Sequence, residues 1–479
     1  MNMTGTVATN KKIDLTNVKR APIIISLLIG TFVAILNETL LSNALPDLMQ
    51  AFDITPSTVQ WLSTAYMLVV GVLVPITAVL QQWFTTNQLF LTAMITFLAG
   101  TLLAALAPSF GILLAGRIVQ ALGTGLLLPI TMNTILIIFP PEKRGGAMGL
   151  MGLVMMFAPA LGPTLSGVII DSLNWRWLFY MVIPFAVVSI IVGAKYLTNV
   201  MEIKKPKIDI LSIILSTLGF GGIVYSFSKS GDLGWADPEV YWTLIIGLVS
   251  LIWFIFRQLR ITNPILDLRT FKYPVFSLMV VLTVIVMMTM FLQGVVLVTA
   301  FKSGLIMLPG SVLNGLFAPV SGKLFDKFGP RVVIIPGVIL IAVAMWLFTG
   351  IDASVKTGQI IAIHCLLLIA IALVMMPTQT HGLNQLSIDL YPHGTAIFST
   401  LQQVAGSIGM ALFISRMSAG QSDYLEKSTN PNNPMEISAA ALAGFEAAFT
   451  LGLIFAIIAI VISLFIKRSK PRRIAEQQK

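Results

Sequence analysis

Charge is scarce in this sequence. Asp, Glu, Lys and Arg make up 10% of the 479 residues, against roughly 25% in an ordinary soluble domain. So little charge cannot cover a water-facing surface of this size, which excludes a soluble enzyme, a disordered chain and a nucleic-acid binder. There is one cysteine, Cys365, so no disulfide can form within the chain. The three histidines, His364, His381 and His393, lack metal-ligand spacing, and no G-x-x-x-x-G-K-[ST] phosphate loop occurs. A bound metal, a cofactor and an ATP-driven pump are therefore not expected. The ten-residue alternating segments of an outer-membrane barrel are missing too.

What is present is apolar length. Hydrophobic residues reach 56%, with a mean hydropathy of +0.91. A bilayer-crossing helix needs about 20 apolar residues. The runs and their polar breaks predict an all-α integral membrane protein with fourteen transmembrane helices. They fall near 21–45, 58–82, 88–107, 109–138, 146–171, 175–197, 209–228, 239–259, 275–299, 302–322, 331–350, 358–379, 396–418 and 443–466. Residues 1–20 carry Lys11, Lys12, Lys19 and Arg20 with no convincing cleavage site after them, so the first run reads as an uncleaved span.

The formal net charge of +10 is informative by position. An even span count puts both termini on one side, and that side then holds 23 of the 30 Lys and Arg residues, Lys143, Arg144 and the six of the 467–479 tail among them. Only six fall on the other side and one, Arg117, inside a span. This bias predicts cytoplasmic termini in the cell membrane. The tightest stretch lies between Pro274 and Lys302, which leaves almost no loop between spans 9 and 10; a thirteen-span layout would put the basic tail outside.

Four segments carry chemistry. Gly322-Lys-Leu-Phe-Asp326-Lys327-Phe-Gly329-Pro330-Arg331 falls at the turn after span 10, where glycines allow close approach and Asp326 can meet a basic residue or a helix N-terminus. The equivalent turn after span 2 lacks the acidic and basic members and offers Gln81, Gln82 and Asn87 as hydrogen-bonding substitutes. Span 4 holds Arg117 about 12 Å inside an apolar helix. An arginine there costs about 2.5–3.5 kcal/mol on insertion scales and is by default functional; Gln120 and Thr124 follow on its face. Span 5 holds Pro159, Gly162, Pro163 and Gly167 in a small-residue stripe suited to close helix packing.

Span 1 reads Leu36-Asn37-Glu38-Thr39. Asn37 and Glu38 differ by about 100° around the helix, so one stripe carries Thr31, Glu38 and Ser42, the other Ser26, Gly30 and Asn37. Which of them faces a cavity is open at this point. In the second half, Gln379, Gln402 and Gln403 add amides suited to an adaptable pocket for organic ligands. His364 on an apolar helix reads as a packing residue.

The 322–331 signature, the Arg117 segment, the Pro159–Gly167 stripe and the fourteen-span layout together resemble the major facilitator superfamily, in its fourteen-span drug:proton antiporter branch. Leu36–Leu41, the turn at Trp83–Phe90 and Pro377–Gly382 are most similar to lincomycin-resistance exporters of Gram-positive bacteria. The branch's aspartate position is Asn37 here, with the carboxylate one place on, at Glu38. The resemblance implies the major facilitator fold: two six-helix bundles (21–197 and 275–466), a two-helix insert with linkers (198–274), an N-terminal segment (1–20) and a basic tail (467–479). It implies proton-coupled efflux of an amphipathic organic substrate by a monomer in the lipid bilayer. Glu38 and Arg117 would serve proton coupling, and Asn37, Gln120, Thr124, Gln379, Gln402 and Gln403 would line the substrate cavity. Gly322, Asp326, Lys327, Gly329 and Arg331, with Pro159, Gly162, Pro163 and Gly167, would serve conformational change. An uptake carrier or a metabolite exporter on the same fold is the alternative.

Overall fold

A computed structural model describes residues 19–201, 203–206, 209–291, 300–351, 355–428, 430 and 433–467. Most of the predicted N-terminal segment and basic tail, Lys207, and the side chains of Ser42, Pro163 and Lys302 lie outside the described residues.

The helix starts are set by local chemistry. Thr55 accepts a bond from the Thr58 N–H ahead of Pro56, and Thr85 and Gln88 form a reciprocal capping box. Asp237 and Asn433 cap helices whose first residues are Pro238 and Pro434, using proline where its missing N–H costs nothing. The helices in chain order are α1 (Arg20–Leu40), a short α2 (Leu45–Phe52), α3 (Pro56–Trp83), α4 (Thr86–Ala105), α5 (Phe110–Ile138), α6 (Arg144–Ser172), a short α7 (Trp177–Tyr180), α8 (Ile183–Tyr196), α9 (Ile210–Leu233), α10 (Pro238–Arg260), α11 (Pro274–Phe291), α12 (Ala300–Phe328), α13 (Pro330–Thr349), α14 (Thr357–Leu383), α15 (Tyr391–Lys427) and α16 (Pro434–Leu464). Fourteen long helices thus stand where fourteen spans are predicted, and α11 and α12 are separate helices across the tightest stretch. Twelve satisfy length and hydropathy for a bilayer crossing among the described residues.

The first half packs α4 on α5, α3 on α5, α1 on α6 and α8, and α4 on α8. The second half repeats the list with α13 on α14, α12 on α14, α11 on α15 and α16, and α13 on α16. Two six-helix bundles of one design result. They meet along two equivalent seams, α6 against α12 and α3 against α15. The inserted α9 and α10 form a hairpin, and α9 packs over the second seam, against both α3 and α15. Asp209, ahead of α9, takes two bonds from Arg257 near the end of α10 (2.6 and 3.0 Å). These bonds hold the Asp209 carboxyl below its ordinary range.

Helix ends depart from the hydropathy edges where polar residues continue the helix. α15 runs through Arg416 to Lys427, and α12 runs six residues past its predicted end. The 322–331 signature is therefore mostly helix. Gly329, at φ 86°, is its one left-handed residue, the N-cap of α13.

Candidate functional site

At the centre of the first bundle Arg117 is 1% exposed. Its Nη1 donates to Asn37 Oδ1 (2.6 Å) and Gln120 Oε1 (3.0 Å). Its guanidinium lies 4.1 Å over the Tyr66 ring, a cation–π contact strengthened by exclusion from water. Gln120 donates in turn to Thr101 Oγ1 (2.8 Å), and the Tyr66 and Thr124 hydroxyls share a bond of 2.7 Å. Arg117 forms no ion pair among the described residues. Its side-chain hydrogen bonds go to neutral groups, with Asn37 in front of it, and Glu38 adds an electrostatic interaction without an ion pair.

Glu38, one residue on, stays within electrostatic reach of Arg117 and Tyr66. It lines a cavity of about 280 Å³ between the bundles, with Met132 of α5, Met155 of α6, Met287 of α11, Gln402 and Gln403 of α15, and Tyr225 of α9. Among the described lining residues Glu38 is the one carboxyl group. Asn37 thus bonds to α5 and Glu38 lines the cavity, while Thr31, earlier on the Glu38 stripe, also meets α5 through Thr131 (3.0 Å). The Asn37 stripe is packed throughout. Ser26 and Ser189 exchange bonds of 2.9 Å, and a Cβ on Gly30 would lie 2.9 Å from Ser189 Oγ.

Below the cavity, at the end where α6 begins, the bundles are closed. Asp326 at the end of α12 accepts the Gly145 and Gly146 N–H groups, both at 2.8 Å, and so caps the N-terminus of α6 across the seam. Of its two expected partners, the helix N-terminus is the one it meets. A Cβ on Gly322 would sit 2.0 Å from the Gly145 carbonyl oxygen, so neither glycine tolerates a side chain in this state. Arg144, fully buried, donates from Nη1 to Asn384 Oδ1 (2.7 Å) and to the Tyr391 hydroxyl (2.9 Å). On the other seam Gln82 meets His393 Nε2 (3.1 Å), while His393 Nδ1 accepts the Asp267 N–H (3.2 Å). Burial works to raise the Asp267 carboxyl, but Arg269 bonds hold it below the ordinary range.

The cavity takes Glu38, Gln402 and Gln403 from the predicted site. Asn37, Gln120 and Thr124 instead serve the Arg117 network, because their α1 and α5 faces pack on each other. Gln379 is fully buried in α14, away from the described cavity lining. Lys327 lies 5.1 Å from the Phe328 ring, and Arg331 donates to the Ile466 carbonyl. Gly162 packs α6 on Thr39 of α1, where a Cβ would lie 2.2 Å from Oγ1. Pro159 and Gly167 lie half-buried within an unbroken α6. Gln81 accepts from Asn133 (2.7 Å), and Asn87 donates to the Leu197 carbonyl (2.7 Å). His364 packs against Gly310 of α12, as read from the sequence.

Arg144, His393 and Tyr225 are the residues sequence reasoning missed. Two glycines directly after Arg144 were the available signal of a close helix crossing. Arg144→Met is expected to loosen this end. Hydrogen bonds to a charged group contribute about 1.5–3 kcal/mol each, so the open form should rise by about tenfold or more. Faster thiol labelling of Ser399→Cys, a cavity position, in a Cys365→Ala background would report it; an unchanged rate would count against the lock.

Two helical bundles of one design around a central cavity, with a closed end below it, define an alternating-access membrane transporter rather than an enzyme. The Major Facilitator Superfamily model matches residues 27–410. The lincomycin resistance protein LmrB of Bacillus subtilis is 52% identical over 94% of this chain and 97% of its own. LmrB of Listeria monocytogenes is 49% identical, over 95% and 98%. The multidrug export protein EmrB of Haemophilus influenzae is 25% identical, over 86% and 84%. Among solved structures, the proton:xylose symporter XylE superposes with a TM-score of 0.61 at 13% identity, over 96% of this chain and 98% of its own. The chain belongs to the Major Facilitator Superfamily.

Proposed function

We propose that this chain exports amphipathic drugs, lincosamide-type antibiotics included, across the cell membrane in exchange for protons. It works as a monomer with both termini cytoplasmic. Residues 21–197 and 275–466 rock as two units around the cavity, 198–274 form the insert, and 1–20 and 467–479 lie on the cytoplasmic side. The observation that carries the reading is a cavity shared by both bundles whose one carboxyl group, among the described lining residues, is Glu38. A carboxylate there needs a proton, a cation or water. With the cytoplasmic end open, ionised Glu38 receives the substrate. With that end closed, a proton from outside neutralises Glu38 and the substrate leaves. Arg117 keeps α1 and α5 in register through Asn37 and biases the site electrostatically. The names of the LmrB relatives support the drug class, and the 23 basic residues on one side support the orientation.

Inverted membrane vesicles carrying the chain should accumulate lincomycin when a proton gradient, acidic inside, is imposed. An uncoupler should abolish the accumulation. Equal uptake by empty vesicles would overturn the reading. Arg117→Ala should lower the rate at least about tenfold, since it leaves Asn37 and Gln120 without their buried charged partner; a full rate would remove the arginine from the mechanism.

A further inference from the structure

The inserted helix pair reaches the cavity. Tyr225, Phe227 and Ser228 of α9 line the same space as Glu38. Tyr225 is fixed from behind. Its ring centroid lies 6.1 Å from that of Trp61 on α3, and its hydroxyl donates to the Glu239 carboxylate in the first turn of α10. Glu239 is placed by Asp237, which accepts its N–H at 2.8 Å. Phe227 packs edge-on against Trp235 at 5.1 Å. The cluster already accommodates a cation, because the Lys229 ammonium stands 5.9 Å over the Trp61 ring. Aromatic faces attract cations by their quadrupole, and fixed rings lose little freedom on binding.

We propose that the inserted helix pair is part of the substrate site: Tyr225, Phe227 and Ser228 form its aromatic wall, which takes the apolar body of an organic cation whose charge faces Glu38. This rests on the efflux reading and extends it to a substrate class and a subsite. The hairpin is thereby a selectivity element as well as a spacer. Substrates lacking a planar or cationic portion gain nothing from it.

The test uses the purified full chain with Cys365→Ala and Ser228→Cys, a charged thiol reagent, and tetraphenylphosphonium as the probe. Saturating probe should slow labelling at position 228 by about fivefold or more, while Lys356→Cys, exposed at the N-cap of α14, should label unchanged. Tyr225→Ala should weaken probe binding about fivefold, the size of one aromatic–aromatic contact with a phenyl ring of the probe; Tyr225→Phe, which keeps the ring, should retain it. Binding without protection at 228 overturns the wall. No probe binding by the parent chain overturns the cation class. Failure of lincomycin transport in vesicles overturns the efflux reading alone, because protection is read on binding.

Discussion

Glu38→Gln is expected to abolish proton-driven accumulation while leaving the chain folded and able to bind substrate. A proton crossing the membrane carries ~2.3 kcal/mol per 100 mV, equivalent to an accumulation ratio of about 50-fold. A glutamine carries no proton, so the ratio should fall to one. Folding should survive because Glu38 faces the cavity rather than a packed helix face. The sharper half of the expectation concerns its neighbour. Asn37→Asp, which restores the branch's usual carboxylate, should not rescue Glu38→Gln. Position 37 lies 2.6 Å from Arg117 and away from the cavity, so a carboxylate there would form an ion pair and stay ionised. Vesicle transport under an imposed proton gradient checks both variants. Undiminished accumulation by Glu38→Gln would end its role, and rescue by Asn37→Asp would show that the two α1 faces exchange during the cycle.

Gly322→Val is expected to trap the end where α6 begins in its open form and to reduce transport to background. The added side chain would begin 2.0 Å from the Gly145 carbonyl oxygen, and Gly145 in turn has Asp326 Oδ1 within 2.5 Å of where its own Cβ would lie. These are largely backbone contacts, which cannot relax as the tip of a long side chain can. Closure would require the α6–α12 crossing to widen, and the Asp326 cap on α6 would be lost with it. A charge at a helix N-terminus contributes up to about 2 kcal/mol when partly buried, about 30-fold in the closing equilibrium. Cysteines replacing Gln82 and His393, joined by a short bifunctional thiol reagent, report closure on the opposite seam. The parent should cross-link and Gly322→Val should not. Cross-linking and transport at parental rates would show that this contact is no part of the gate.

Span number, family and the Asp326 contact with a helix N-terminus were legible because they are written in composition and in short signatures. Twenty apolar residues must cross a bilayer wherever they sit, and a glycine-spaced acidic motif survives as a pattern. Which α1 stripe faces the cavity was not legible. Both residues are polar, both lie on a mostly buried helix, and periodicity fixes only the angle between them. Arg117 on α5, 80 residues away, decides the matter. Arg144 looked like one more cytoplasmic loop charge, and its burial arises only when Asn384 and Tyr391 arrive from 240 and 247 residues further on. The cavity role of α9 was hidden for a related reason. An apolar helix advertises that it is in the membrane, but not which neighbours it has.

The α9 helix also breaks the symmetry of the machine. The two bundles repeat one another, so α6–α12 and α3–α15 are equivalent flanks, and a two-bundle transporter built from them alone would offer the bilayer two identical doorways. Here α9 lies across one of them. One flank is thus roofed by an inserted helix and the other, among the described residues, is sealed by α6 and α12 alone, so the two sides of the molecule differ in a way that the internal repeat by itself does not provide.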